Sequence, residues 1–471
     1  MTSKTPEPGQ SPAVIDEEAL AARRQPKKSA IAALVGSALE YYDFFIYASA
    51  AALVFNRLFF DRSNPGVATL LSLATFGVAY AARPIGAVVL GRWGDRSGRR
   101  NVMVFTLFLM GFSTFAIGCL PTYGNVGILA PTLLVICRLA QGFSAGGEQS
   151  SANSMSLEHA PDRHRSFTTG WTMFGTQLGQ VIAAGAFLPM AAIGEDFFLS
   201  VGWRVPFWLS ALVVLVGWLI RRTLEEAPQF QAQAEIRDSY VADAAEATPA
   251  PATREPMLIL LRRYPLSLVR VTILALHNFE TTIFSVWALA YGKSQGISEA
   301  HMLSQTVLVQ VTALFTIPMW TWLADRIGHK KVYIGGYFMV AVLLWFYMTQ
   351  LHTQNVIGVY LLGFIMQGIF YSAVNGVWPA FYGEQFPTKV RLSGTALGTQ
   401  IGFAITGFAP TIAAALMINQ TTFVRVYLVT IAVMAVVMVT AGTAKETAFK
   451  SLTELDREAD QAELVKYGNI A

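Results

Sequence analysis

Charged side chains within long apolar stretches are the residues of this chain best placed to do chemistry. In the 471-residue sequence they include Glu40, Asp43, Arg83, Arg138 and Glu280. An ionised group at the centre of a bilayer costs about 3 kcal/mol or more, so it needs an opposite charge, a water-filled cavity or a proton. The pattern therefore indicates proton binding and recognition of a polar ligand inside a membrane.

Two of these acids fall on one face of the first apolar stretch. Glu40 and Asp43 are three residues apart, which places them side by side on a helix, and Tyr47 extends the same face. We expect Asp43 to be the proton site and Arg138 to be its charge partner and competitor, with a fixed structural ion pair as the alternative. Glu40 is expected either to be a second proton site or to pack against Arg83.

A polar and aromatic stripe marks the second half of the chain. Gln367, Tyr371, Asn375 and Trp378 recur at helical spacing and predict a substrate-facing surface, where the rings cover an apolar body and the amides bind hydroxyls or carboxylates. The alternative is that these polar groups only join neighbouring helices. The expected substrate-binding residues are Tyr47, Arg83, Arg138, Gln141, His277, Glu280, Gln367, Tyr371, Asn375 and Trp378.

The elements that position these residues are membrane helices. The composition is 54% hydrophobic and 14% charged, with a mean hydropathy of +0.45, far from the balance of a soluble domain. Since the apolar runs are continuous rather than alternating, they predict helices and not a barrel of strands. We predict membrane helices near residues 31–55, 67–90, 101–120, 129–156, 167–190, 204–221, 265–292, 302–323, 332–350, 357–382, 393–418 and 424–443.

The distribution of Lys and Arg predicts the orientation. These residues concentrate in the loops on the side of both termini, so both termini are expected in the cytoplasm of a multi-pass protein of the cell inner membrane. The predicted regions are a cytoplasmic tail at 1–30, a six-helix half at 31–221, a cytoplasmic linker at 222–262, a second half at 263–443 and a cytoplasmic tail at 444–471. The net charge of +4 follows from this asymmetry and requires no nucleic-acid partner.

Motifs for covalent chemistry are missing from the sequence. Cys119 and Cys137 are the only cysteines, and neither has metal-ligand spacing. The sequence contains no Gly-rich phosphate loop and no nucleophile–base arrangement. We therefore expect a protein that is not an enzyme, that holds no cofactor or metal, and that does not use ATP.

Several motifs occur twice in the same order. GRWGDRSGRR at Gly91 corresponds to TWLADRIGHKK at Thr321, and EHAPDRHR at Glu158 corresponds to EQFPTKVR at Glu384. RLAQG and GTQLG in the first half likewise match FIMQG and GTQIG in the second, which indicates a six-plus-six duplication. In each half, the basic loop residues are expected to pair with the following Glu as a cytoplasmic latch. The expected gating residues are Asp95, Arg96, Arg99, Arg100, Glu158, Asp325, Arg326, Glu384 and Arg391.

The doubled loop, together with the Arg-x-x-Gln-Gly motif, resembles the major facilitator superfamily. LEYYDFFIY at Leu39, ARPIG at Ala82, RLAQGFSAGGE at Arg138 and GWRVPF at Gly202 resemble its metabolite:proton symporter family. The resemblance implies an all-α integral membrane fold of twelve helices in two pseudo-symmetric halves, and transport by alternating access. It also implies substrates such as shikimate, 2-oxoglutarate, citrate, proline or betaine. Superfamily sugar carriers place a carboxylate and an arginine at positions similar to Asp43 and Arg138.

The expected function is proton-coupled import of a small organic acid, shikimate-like, aromatic or dicarboxylate, by a monomer in membrane lipid. Its partners would be the organic anion or zwitterion and protons. Two alternatives remain: a proton-coupled proline or betaine symporter, and a membrane receptor that senses a metabolite without transporting it.

Overall fold

The regular structure of the chain is helical throughout the part that is described. The computed structural model describes residues 26–61, 63–97, 99–146, 153–154, 156–158, 160–223, 256–418 and 422–467. Within these ranges the expected all-helical membrane architecture is confirmed. Among the described residues, eight helices are long and apolar enough to cross a membrane, and they fall in the regions predicted from the apolar runs.

We number the long helices in chain order. They are α1 (Pro26–Leu53), α2 (Pro65–Ser97), α3 (Arg99–Cys119), α4 (Leu129–Ala145), α5 (Arg165–Ile193), α6 (Val205–Thr223), α7 (Pro265–Ser294), α8 (Glu299–Ile327), α9 (His329–His352), α10 (Val356–Gly383), α11 (Thr388–Leu416), α12 (Val424–Thr443) and α13 (Leu452–Tyr467). Short helices cover Phe55–Leu58, Tyr123–Val126, Glu195–Ser200, Gly202–Arg204 and Pro256–Arg263.

Two helices depart from regular α-helical geometry where the sequence predicts function. α7 tightens into a 3₁₀ turn at Ala275–His277 and widens into a π-helix at Ile283–Trp287, and α10 contains a π-helix at Phe364–Tyr371. Such segments are frequent at functional sites because they change the direction of side chains. Hydrophobic periodicity carries no signal for these changes, so they were not predicted.

Glycine allows close helix packing around the centre of the first half. A Cβ atom at Gly175 or Gly179 of α5 would lie 2.2 and 2.4 Å from the carbonyl oxygens of Leu34 and Ala38 in α1. Because such contacts are too short for a side chain, only glycine permits this approach. The position of α1, which carries Asp43, is therefore fixed against α5.

The first half (α1–α6) and the second half (α7–α12) contact each other at both ends of the helices. We call the end where α1 begins and α12 ends the linker side, and the opposite end the loop side. On the linker side, the amides of Ser166 and Phe167 in α5 donate to Asp325 of α8. On the loop side, Lys293 Nζ donates to the carbonyl of Leu53 at 3.1 Å. Contacts at both ends close the space between the halves.

Candidate functional site

A buried ion pair joins α1 and α2. Arg83 Nη2 lies 3.2 Å from Glu40 Oε1, and both side chains are 1% exposed. The guanidinium also lies over the rings of Phe44 at 4.1 Å and Tyr80 at 4.6 Å. Of the two roles expected for Glu40, its geometry matches the packing partner of Arg83.

Arg138 is also fully buried, but an acid does not hold it. Its three nitrogens donate to the carbonyls of Thr75 (3.2 Å) and Phe76 (3.0 Å) and to Gln141 Oε1 (2.8 Å). Its carbon Cζ lies 3.7 Å from the centre of the Tyr47 ring. The expected Asp43–Arg138 ion pair is not formed in this conformation, because carbonyls of α2 and the Gln141 amide already occupy the guanidinium.

Asp43 reaches Arg138 only through intermediate side chains. The Asp43 carboxyl is 4% exposed, its Oδ1 has no hydrogen-bond partner, and Thr114 of α3 lies beside it. Gln141 Nε2 donates to the Thr114 hydroxyl at 2.7 Å, and that hydroxyl donates to the carbonyl of Met110 at 2.8 Å. The Thr114 hydroxyl has a single proton, which it can donate either to the Met110 carbonyl or to Asp43.

A cavity of about 40 Å³ lies between the two halves at mid-membrane. This volume is smaller than a small metabolite, so the halves must separate to admit one. The predicted substrate-binding residues that line it are His277, Gln367, Tyr371, Asn375 and Trp378. The prediction of a substrate-facing stripe on α10 is consistent with this placement.

The other predicted substrate-binding residues lie behind the cavity wall. Tyr47, Arg83, Arg138, Gln141 and Glu280 are buried but do not line the cavity. Tyr47 donates to the hydroxyl of Thr75, next to Arg138. In this conformation the guanidinium groups of Arg83 and Arg138 lie over the rings of Tyr80 and Phe76, which line the cavity, so contact of these residues with substrate stays a prediction.

Sequence reasoning missed most of the cavity wall. The additional lining residues include Tyr41, Phe45, Phe76, Tyr80, Thr176, Gln177, Gln180, Asn278, Thr281, Thr282, Ser285, Gln310, Ser372 and Phe403. Gln310 of α8 donates to Gln180 of α5 at 2.5 Å, so one amide pair bridges the two halves. The repeated GTQLG motif, which contains Gln177, was a usable signal for α5. For α8 no comparable pattern exists.

His277 lies in a cage of aromatic rings. The rings of Tyr371, Trp378, Tyr382 and Phe403 have centres between 5.9 and 6.4 Å from its imidazole. Its Nδ1 lies 3.1 Å from the carbonyl of Leu274 and 2.9 Å from the hydroxyl of Tyr382, so this nitrogen is bonded within the second half and only Nε2 remains for other partners.

On the linker side, a buried acid is surrounded by cations. Glu384, at the end of α10, lies 2.6 Å from Arg165 Nε and 3.0 Å from His329 Nδ1, and Thr447 donates to it. Burial alone would raise the pKa of Glu384. The charge and hydrogen bond of His329, followed by Arg165 and Thr447, outweigh burial and hold that pKa at about 2. We call Arg165, Asp325, His329 and Glu384 the latch.

The latch differs from the expected pairing in its partners. Arg326 was expected to pair with Glu384, but it is exposed and stacks over Trp322 at 3.7 Å. Arg165, which was not predicted, takes that role from the other half. Asp325 accepts the amides of Ser166 and Phe167 at 2.9 and 3.0 Å, as an acid at a helix N-terminus should.

The repeated motifs explain why Arg165 rather than Arg326 pairs with Glu384. Glu158 and Arg165 begin and end EHAPDRHR, while Glu384 and Arg391 begin and end EQFPTKVR. Arg165 pairs with Glu384, and Arg391 interacts electrostatically with Glu158, so each half supplies the partner of the other. The position shared by Arg165 and Arg391 was the signal for this pairing. The side chains of Asp95, Arg96, Arg99 and Arg100 lie outside the described part of the structure.

The C-terminal segment 444–467 packs against the latch, and we call it the C-terminal strap. Arg165 donates to the carbonyls of Lys450 and Thr447 at 2.6 and 2.8 Å. Asp456 accepts from the amide of Thr388 at 2.8 Å, at the first residue of α11, and lies 3.7 Å from Arg391. The sequence predicted this segment only as a cytoplasmic tail. In the structure, Asp456 of the segment caps α11 of the second half.

Two protein-family models match successive parts of the chain. Residues 29–252 match the model described as Sugar (and other) transporter. Residues 271–469 match the model of the Major Facilitator Superfamily. The unmatched interval lies in or next to the predicted linker.

Curated relatives cover nearly the whole chain. The glycine betaine/proline/ectoine/pipecolic acid transporter OusA of Dickeya dadantii is 34% identical over 94% of this chain and 87% of its own length. The shikimate transporter of Escherichia coli K12 is 34% identical over 85% of this chain and 90% of its own length. These relatives are transporters rather than enzymes.

Solved structures share the fold. The proton:xylose symporter XylE bound to 6-bromo-6-deoxy-D-glucose superposes with a TM-score of 0.70 at 18% identity, covering 92% of this chain and 98% of that one. A partially occluded inward-open form of XylE from E. coli gives 0.69 at 17% identity, over 90% and 99% of the two chains. At these identities, the likeness establishes the arrangement of helices in two halves and nothing finer.

Proposed function

Because the chain belongs to the major facilitator superfamily, we propose that it is a proton-coupled importer of a small carboxylate-bearing metabolite. It would work in the cell inner membrane with both termini in the cytoplasm, so that the linker side is the cytoplasmic side. The concentration of Lys and Arg on that side supports this orientation.

The observation that carries the proton coupling is the position of Asp43. This carboxyl is buried in the membrane interior, one of its oxygens has no partner, and the one proton of the adjacent Thr114 hydroxyl can be donated to the Met110 carbonyl instead. A carboxyl in such a place is best accommodated when it carries a proton. Arg138 is connected to Asp43 through Gln141 and Thr114, so a rearrangement of these side chains can bring the pair together and release the proton.

The cavity wall supports a zwitterionic substrate over the organic acid expected from sequence. Among the described residues, no Lys, Arg, Asp or Glu lines the cavity, and its rings include Tyr41, Phe76, Tyr80, Trp378 and Phe403. A desolvated cation over such rings gains up to about 2 kcal/mol, while Gln and Asn amides donate to a carboxylate. A betaine or proline type of molecule combines both groups, as in the names of several relatives.

Alternating access is supported by the two closed ends. The latch and Lys293 hold the halves together on opposite sides of the cavity. Rocking of the halves would break one set of contacts while the other holds. The cavity would then open to one side at a time.

Uptake into proteoliposomes tests the proposal. With an imposed inward proton gradient, labelled glycine betaine or proline should accumulate above the outside concentration, and a protonophore should abolish the accumulation. Accumulation of shikimate in their place would support the organic-acid alternative. Binding without uptake of any of these compounds would support the receptor.

A further inference from the structure

A further carboxyl, besides Glu40 and Asp43, is buried in the membrane interior, on α7. Glu280 lies between the 3₁₀ turn and the π-helix of this segment and is 0% exposed. Its Oε1 accepts a hydrogen bond from Gln367 Nε2, and its Oε2 has no partner. The transport function proposed above does not use this group.

No described cation faces Glu280. The titratable groups around it are Tyr337 and Tyr347 of α9 and Tyr371 of α10. Tyr337 donates to the carbonyl of His277, and Tyr347 donates to Oε1 of Gln305 at 3.4 Å, so neither hydroxyl is directed at the carboxyl. An ionised Glu280 would therefore rely on the Gln367 amide alone, which makes its charge costly.

Gln367 connects this acid to the cavity. Gln367 lines the cavity wall, whereas Glu280 lies behind it. Gln367 belongs to the π-helix Phe364–Tyr371, whose wider turn is not required by the membrane span itself. A single amide therefore contacts both the acid and the space where substrate would bind.

The Gln367 side-chain amide can flip, exchanging its NH₂ group and its carbonyl oxygen, according to the protonation state of Glu280. An ionised Glu280 accepts from the NH₂ group of Gln367, which leaves the Gln367 carbonyl oxygen for other partners. A protonated Glu280 donates its O–H to that carbonyl, which frees the NH₂ group. The freed NH₂ group can donate to a substrate carboxylate, but the carbonyl oxygen cannot.

We propose that Glu280 takes up a proton during transport and that Gln367 converts this protonation into binding of the substrate carboxylate. The carboxylate of Glu280 gains one proton from the aqueous phase through the opened cavity, and it returns that proton on the opposite side after the substrate leaves. The inference rests on the proposed proton-coupled transport and adds a second proton site to Asp43.

Binding and coupling measurements on two variants test the inference. Glu280→Gln mimics the protonated acid, so binding of glycine betaine to purified protein should lose the pH dependence contributed by this group. At pH 8 the variant should bind about tenfold more tightly than wild type, the effect of one hydrogen bond to a charged group. The number of protons carried per substrate in proteoliposomes should fall by one.

Gln367→Leu tests the same link without changing the acid. Binding at pH 6 should weaken by about tenfold, because the donor to the carboxylate is lost. Gln400→Leu is the matched control, since this amide is buried on α11 and does not line the cavity. It should leave the pH profile of binding unchanged.

The outcomes separate the two proposals. If Asp43→Asn abolishes coupling while Glu280→Gln keeps the wild-type pH profile and proton ratio, the inference is wrong and the proposed function stands. If Glu280→Gln does not fold, a Gln367→Leu protein with the wild-type profile is enough to overturn it. If wild type carries no protons, the proposed function itself fails.

Discussion

Asp43 and Glu384 are both buried acids of this molecule, and their surroundings are opposite. Glu384 lies between Arg165 and His329, with a hydroxyl donor from Thr447. Asp43 has an oxygen without a partner, and its neighbour Thr114 has a single proton that it can also donate to the Met110 carbonyl. Partners for a negative charge are thus abundant around Glu384 and scarce around Asp43.

The difference separates two kinds of work. An acid that keeps its charge can hold two halves together through ion pairs, whose strength depends on contact between the halves. An acid that lacks a charge partner is suited to gain and lose a proton. The comparison therefore predicts that substitutions of Asp43 affect coupling, whereas substitutions of the latch affect the balance between conformations and the stability.

The largest expected effect is that of Asp43→Asn. The amide cannot exchange a proton, so accumulation of substrate driven by a proton gradient should be abolished. Exchange of labelled for unlabelled substrate across the membrane should persist, because the cavity wall is unchanged. Uphill uptake and counterflow in proteoliposomes measure the two.

Asp196→Asn is the control for this variant. Asp196 is exposed in the short helix Glu195–Ser200 on the loop side, and its substitution should preserve uphill uptake. Loss of counterflow together with uptake in Asp43→Asn would point to a structural role for Asp43.

Glu384→Gln should cause the next largest effect. The change leaves Arg165 and His329 buried beside a neutral amide, and removal of one partner from a buried ion pair costs about 3 to 5 kcal/mol. The thermal unfolding midpoint in detergent should fall clearly, and the linker side should become more accessible to thiol reagents at introduced cysteines. Arg326→Gln is the matched control, since this side chain is exposed. Equal effects of both variants would argue against the latch.

Acid should weaken the latch in a defined range of pH. The pKa of Glu384 in the folded protein, about 2, lies below its ordinary value of 4.5, so its charge stabilises the folded protein fully above pH 4.5. This stabilisation, on the order of 3 kcal/mol, is lost as the pH falls from 4.5 toward 2. Thermal unfolding of wild type between pH 7 and 3 should show this loss, and Glu384→Gln should lack it. Parallel curves for the two proteins would contradict the assignment.

The smallest expected effect belongs to the C-terminal strap. Asp456→Ala removes the acceptor for the first amide of α11 and a partner of Arg391, and loss of such a cap costs about 1 kcal/mol. Asp460→Ala breaks only an exposed pair with Lys389 and should cost less. Thermal unfolding compares the two variants. A larger loss for Asp460→Ala would argue against the role given to Asp456.

The fold could be predicted because the bilayer imposes it. Continuous apolar runs must form helices whose backbone groups bond internally, and the repeated loops give the duplication. The change from α-helix to π-helix within α7 and α10 could not be predicted, since it depends on packing against neighbouring helices. The contacts of the C-terminal strap were missed for a similar reason, because Asp456 finds its partners only when folding places it beside Thr388 and Arg391.

The candidate site was predicted in part. The stripe on α10 was found because Gln367, Tyr371, Asn375 and Trp378 recur with helical spacing, and that periodicity survives folding. Direct pairing of Asp43 with Arg138 was expected from opposite charge at similar depth. Depth along two helices does not fix how each helix is rotated about its own axis. In this structure Arg138 donates to carbonyls of α2 rather than to Asp43.

The central claim is that substrate enters together with a proton carried by Asp43. A pH electrode in a suspension of wild-type proteoliposomes should record alkalinisation of the medium when glycine betaine or proline is added. Asp43→Asn proteoliposomes should show none, even while they exchange labelled substrate. Alkalinisation by Asp43→Asn with the wild-type ratio of protons to substrate would contradict the claim.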